Sequence, residues 1–292
     1  MSLDHDLTLP GDRNVRARAV GPSDAPVIVY FHGTPDSRLT IDICAEQLSS
    51  APARLIAFDR PGYGGSDFQP FSFASVAEDT RAVMDEFGVE RFAVLGLSGG
   101  GPFALSCAAH LPDRVSAVGV ASGPASSASV PSARAELIDT DQQALDLIGT
   151  DDAQAARLFA TGFGDMATLP QQDDDTVIAA LHALLPADGP VLSRPGIAVG
   201  VTASMREALR QGVEGCAWDN VAWVGPWQFD VTAVHQPTWL WYGLADPLSP
   251  PANGTWLKEQ LPHAELVIRE GEGHLGIYTH WDEIVTALTS RH

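Results

Sequence analysis

Ser98 sits in the stretch Gly96-Leu97-Ser98-Gly99-Gly100. An apolar run, Phe92 to Leu97, leads into it, and a helical pattern follows from Gly101 to His110. In that setting a tight strand–turn–helix holds the central residue in a strained backbone conformation and pushes its hydroxyl into the open. Side chains two positions to either side would collide with the turn, which accounts for Gly96 and Gly100. A phosphate-binding turn does not fit. No Lys-Ser/Thr pair follows the glycines, and Gly96-x-Ser98-x-x-Gly101 lacks the middle glycine of a dinucleotide fingerprint.

A serine hydroxyl is a weak nucleophile without a base, and the base needs a carboxylate to orient it. For a serine on such a turn the expected chain order is serine, acid, histidine. Among nine histidines, His5 and His292 are terminal. His110, His182 and His263 lie in or beside helical patterns, His235 closes a helical region, and His280 falls in the last helix. His274 follows the strand pattern and glycine-rich loop of "VIREGEG" and precedes that final helix, so it is the candidate base. Asp246 directly follows the strand pattern "TWLWYGLA" and is the candidate acid. The competing loop "SGPASSASVPS" after Val115–Gly123 holds no carboxylate before Glu136. An oxyanion hole needs two backbone N–H groups. Gly99 supplies one candidate and Thr34, in "HGTPDS", the other. Gly33 lets that loop fold back. His32 precedes the serine and is expected to hold the loop in place.

These residues need elements to carry them. Near-continuous apolar runs, four of them ending in glycine, span Val27–Gly33, Arg54–Gly62, Arg91–Gly100, Val115–Gly123, Thr238–Asp246 and Ala264–His274. Such runs are buried on both faces, and they alternate with helical patterns such as Phe73–Phe87. The pattern predicts an α/β chain with a doubly wound, mostly parallel sheet. Between about Pro124 and His235 the strands stop. Four helical patterns follow, in "SARAELIDTDQQALDLIG", "DAQAARLFATGF", "DDTVIAALHALL" and "IAVGVTASMREALRQG", and then a segment with Trp218, Trp223 and Trp227. The expectation is a core of residues 1–124 and 236–292 with a helical lid, residues 125–235, over the ligand crevice at the strands' carboxyl ends. Phe159, Phe163, Met205, Trp218 and Trp223 are the candidate pocket residues.

The 292 residues carry 17 basic and 37 acidic side chains, a net charge of −20. Such a field disfavours nucleic acid and anionic membranes as partners. Cys44, Cys107 and Cys216 are dispersed and odd in number, against a disulfide framework or zinc site. No basic, apolar leader opens the sequence and no run reaches a membrane span. The expectation is a cytoplasmic protein with a small-molecule substrate and no metal or cofactor; monomer and homodimer both stay open.

"HGTP", "FDRPGYGGSD", "GLSGG", "YGLADPLSP" and "GEGHL" resemble, in order and spacing, the α/β-hydrolase superfamily. The resemblance covers most of the chain and is least specific in the lid. It is similar to lid-bearing bacterial esterases, proline iminopeptidase-like enzymes and cofactor-free haloperoxidases. The resemblance implies the α/β-hydrolase fold and a Ser98–Asp246–His274 triad. It gives Trp227 and Phe229 a structural role at the lid exit, makes Asp59 a loop organiser, and makes Arg60 and Asp67 salt-bridge or turn residues. Epoxide hydrolases and haloalkane dehalogenases carry Asp where this chain has Ser98. Proline iminopeptidases usually show Gly-Gly-Ser-Trp-Gly at the turn, unlike Gly-Leu-Ser-Gly-Gly here. The expectation is therefore hydrolysis of a neutral, apolar carboxylic ester or lactone. Amidase, iminopeptidase, carbon–carbon hydrolase and perhydrolase chemistry share the triad and stay open, as does a ligand receptor on the same scaffold.

Overall fold

A computed structural model describes residues 4–45, 53–130, 134 and 137–290. His292 and most of residues 131–136, the start of the first expected lid helix, lie outside the described residues. Eight strands form one sheet: β1 (Asp4–Leu9), β2 (Arg13–Val20), β3 (Val27–Phe31), β4 (Arg54–Phe58), β5 (Phe92–Leu97), β6 (Val115–Ala121), β7 (Thr238–Gly243) and β8 (Ala264–Arg269). Their spatial order is β1-β2-β4-β3-β5-β6-β7-β8. β1 and β2 pair antiparallel, as do β2 and β4; every other pair is parallel.

The six parallel strands are those the apolar runs predict, and period-two alternation explains their composition. β3 sends Ile28 and Tyr30 into the core on one face, and Val27, Val29 and Phe31 into the core on the other. Both faces are covered, so no position is left for a polar side chain. The chain steps from β3 outward to β4, then returns to β5 on the opposite side of β3. At such a reversal the loops leaving the two strands diverge and open a crevice. The residues leaving β3 are His32 to Asp36, and the residue leaving β5 is Ser98.

Helices α1 (Ile41–Ala45), α2 (Phe73–Glu86) and α3 (Gly100–His110) connect the first parallel strands. Between β6 and β7 lie α4 (Asp139–Leu147), α5 (Asp152–Gly162), α6 (Asp174–Leu184), α7 (Gly189–Leu192), α8 (Ile197–Ala208) and α9 (Glu214–Val224). Helices α10 (Pro251–Gln260) and α11 (Trp281–Thr289) complete the chain. Of the six insertion helices among the described residues, α4, α5, α6 and α8 overlay the four expected patterns. Helix α9, which carries Trp218 and Trp223, was not expected. Gly215, Cys216, Ala217, Asp219, Val221 and Val224 are all buried. A helix buried nearly all round shows no one-sided apolar stripe.

Two buried arginines of the core meet carboxylates of the insertion. Arg38 pairs with Glu207 of α8 at 2.7 Å, and Arg60 with Asp219 of α9 at 2.5 Å. Trp227 stacks on Phe229 at 5.3 Å and both meet Phe73, which anchors the return toward β7. All three cysteines are free and buried: Cys44 on α1, Cys107 on α3 and Cys216 on α9. Among the described residues no helix is long and apolar enough to cross a membrane.

Candidate active site

Ser98 has φ +52°, a left-handed conformation rare for a residue with a side chain. Its amide donates to Ala121 O at 2.9 Å, and its carbonyl accepts from Gly101 N at 2.8 Å. The glycines around it are each explained by a neighbour. A Cβ on Gly96 would overlap the Gly100 carbonyl, and one on Gly100 would overlap the Phe31 carbonyl. Gly101, given no task by the sequence beyond helix entry, lets α3 close on β6. A Cβ there would stand 2.9 Å from Val120 Cγ1 and 3.1 Å from Gly123 Cα.

His274 Nδ1 lies 2.8 Å from Asp246 Oδ2. An ionised carboxylate only accepts, so Nδ1 carries the hydrogen and Nε2 is left as the basic nitrogen. The other Asp246 oxygen accepts from Leu248 N at 2.8 Å and Ser249 N at 3.0 Å. Burial works against charge on Asp246, but the His274 contact and the two amides outweigh it and hold the pKa below the usual carboxylate value. The loops carrying the pair are pinned together. Ala245 N donates to Glu272 O at 2.9 Å, and a Cβ on Gly243 would overlap the Glu272 and Gly273 carbonyls.

Asp188, in the insertion just before α7, is a site residue that sequence reasoning missed. Its oxygens accept from His274 N at 2.7 Å and Leu275 N at 2.9 Å, fixing the backbone that carries the imidazole. A Cβ on Gly273 would overlap the same carboxylate. Burial raises its pKa, the two amides opposing.

The loop after β3 is held from behind. Arg60 Nη1 donates to His32 O at 2.7 Å and Nη2 to Gly33 O at 3.1 Å. His32 Nε2 accepts from Arg60 N at 3.2 Å, so its Nδ1 bears the hydrogen and donates to Gly33 O at 2.8 Å. Burial, then the Arg60 charge, pushes the His32 pKa well down. His32 is thus a neutral brace for its own loop. In a planar trans peptide the N–H opposes the C=O. With Gly33 O directed at Arg60, the Thr34 N–H points the other way. Thr34 N lies 3.7 Å from where a Gly99 Cβ would stand, and Ser98 Cβ 3.5 Å from where a Gly33 Cβ would.

Ser98, His274, Thr34 and Gly99 all line one cavity of about 370 Å³. Phe163, Met166, Leu181, Leu185, Met205 and Trp223 supply much of its apolar wall, with Asp36, Asn220 and Tyr278 as polar members. Leu184 and Leu248, about half exposed, also border it. Of the five expected pocket residues, Phe163, Met205 and Trp223 are in the lining; Phe159 and Trp218 are corrections. Phe159, on α5, is buried against α4 and α9, among Ala144, Leu145, Ala217 and Val221. Trp218 turns from the cavity toward Phe71, ring centres 6.5 Å apart. On α9, Trp223 lies five positions further along, well off the same face.

The chain matches the family model described as alpha/beta hydrolase fold over residues 26–280. It belongs to the α/β-hydrolase fold family. It is 25% identical to rhodomycin D methylesterase DnrP of Streptomyces peucetius over 265 residues, 87% of this chain and 86% of that protein. A shorter match, 30% identical over 124 residues, is to epoxide hydrolase B of Mycobacterium tuberculosis and covers 40% of this chain. It spans only 35% of that relative's length. Among solved structures, the enol-lactonase from Burkholderia xenovorans LB400 superposes with a TM-score of 0.68 at 18% identity, covering 98% of both chains. A thermophilic esterase from Thermogutta terrifontis gives 0.68 at 19% identity, covering 98% of this chain and 97% of that one. At such identities the likeness is one of fold.

Proposed function

We propose that the protein is a serine hydrolase of neutral, apolar carboxylic esters or lactones, working through an acyl-enzyme. One observation carries the reading. The His274–Asp246 pair opens on the same apolar cavity as Ser98. His274 Nε2 takes the proton as Ser98 Oγ attacks the carbonyl carbon, then returns it to the leaving alcohol. Asp246 holds the tautomer and stabilises the imidazolium. The Thr34 and Gly99 amides receive the oxyanion. Water, deprotonated by His274, then cleaves the acyl–Oγ bond and releases the acid. The likeness to a methylesterase along most of the chain supports an ester over an amide. In this reading residues 125–235 are the lid, and residues 1–124 and 236–292 the catalytic core.

The test is a panel of p-nitrophenyl esters of graded acyl length beside proline arylamide, with Ser98→Ala as control. Turnover should favour esters and fall in the variant by on the order of 10⁴-fold or more. Undiminished esterase turnover in Ser98→Ala overturns the mechanism, and preference for the arylamide overturns the substrate class.

A further inference from the structure

Asp219 belongs to the insertion, yet its carboxylate is fully buried beneath the loop that leaves β3. Oδ2 accepts from three donors, each at 2.5 Å: Thr34 Oγ1, Arg60 Nη2 and Tyr63 OH. Oδ1 accepts from Arg60 Nε at 2.9 Å. The same guanidinium fixes the His32 and Gly33 carbonyls, and the Gly33 carbonyl sets the direction of the Thr34 amide. The Thr34 hydroxyl, directed at Asp219, packs where a Gly99 side chain would be, 2.6 Å from an ideal Cβ. Asp219 therefore reaches both sides of the Thr34 peptide: the carbonyl before it through Arg60, and the side chain after it directly.

We propose that Asp219 is a positioning residue for the oxyanion site, orienting the Thr34 amide from the insertion; the inference rests on the serine-hydrolase reading above. Oxyanion stabilisation depends on donors held in place before charge develops. Here the hold comes from α9, so seating the insertion and aligning the amide are one event. The second core-to-insertion ion pair described above, Arg38–Glu207, touches neither Thr34 nor Gly99 and serves as the comparison.

The experiment compares Asp219→Asn, Thr34→Val and Glu207→Gln, with melting temperature recorded for each. It reads the rate of Ser98 labelling by a fluorophosphonate, with kcat and KM on the best ester. Thr34→Val removes only the hydroxyl link and keeps the buried ion pair, so it remains informative if Asp219→Asn fails to fold. A misaligned donor lowers kcat and the labelling rate while KM stays put. Asp219→Asn should lose on the order of 10²-fold in both rates, Thr34→Val on the order of 10-fold, and the double variant no more than Asp219→Asn alone. Glu207→Gln should label at the wild-type rate. A folded Asp219→Asn or Thr34→Val protein labelling within about 3-fold of wild type overturns the proposal, as does a loss carried by KM alone. Labelling reads the oxyanion site whether or not esters are the substrate, so failure of the ester reading and failure of this one are separate results.

Discussion

A carboxylate taken out of water resists ionisation unless donors meet it, and Asp246 is met by an imidazole and two amides. Its folded pKa is held below the ordinary value of about 4. Such a group contributes stability that is fully present above its unfolded pKa and is lost as pH falls through the folded one. Asp246→Asn should therefore melt below wild type at neutral pH, with the gap closing below about pH 4. Calorimetry across pH checks this, and a gap unchanged near about pH 2 contradicts it. The same variant should lose on the order of 10⁴-fold in kcat, because the imidazole loses its enforced tautomer. Ser98, Asp246 and His274 were legible because each directly follows a strand or its short loop, where local pattern speaks. Asp188 and Asp219 were not. Their partners, His274 and Arg60, lie 86 and 159 residues away in sequence. Nothing near either acid shows which way it faces once the insertion docks.

Elements impose their own constraints, and the turn between β5 and α3 is the tightest. A Cβ on Gly96 would stand within the Gly100 carbonyl, which α3 cannot move without leaving β6. Gly96→Ala should cost about 3 kcal/mol or more and abolish Ser98 labelling by a fluorophosphonate. Thermal denaturation and labelling of the soluble variant measure both. An alanine variant with native melting and labelling would show that the turn is looser than its packing implies. The parallel strands were legible because burial on two faces leaves an unbroken apolar run. The β1–β2 hairpin was not singled out, since β1 is a partly exposed edge strand with three acidic or histidine side chains in six residues. The insertion was legible as helical and, through Phe163, Met205 and Trp223, as part of the pocket wall, but not residue by residue. Helical period places residues on a face without saying what the face meets, which is how Phe159 and Trp218 came to be misassigned.

The whole molecule carries a charge of −20. An anionic ester approaches against that field, and salt screens it; a neutral ester feels neither. Raising ionic strength from about 20 mM to about 200 mM should increase kcat/KM for a negatively charged ester several-fold and leave its neutral analogue unchanged. Steady-state kinetics on a matched pair decides it, and equal salt responses would mean the entrance lies outside the field. The three buried cysteines have a different use at this scale. Burial pushes the Cys107 and Cys216 thiols up to about 12 and Cys44 well above its usual value, so none reacts while the fold is closed. One lies on the insertion, one under each face of the sheet. They form a set of native clocks: the order in which a thiol reagent reaches Cys216, Cys44 and Cys107 records the order in which the parts of the molecule come open.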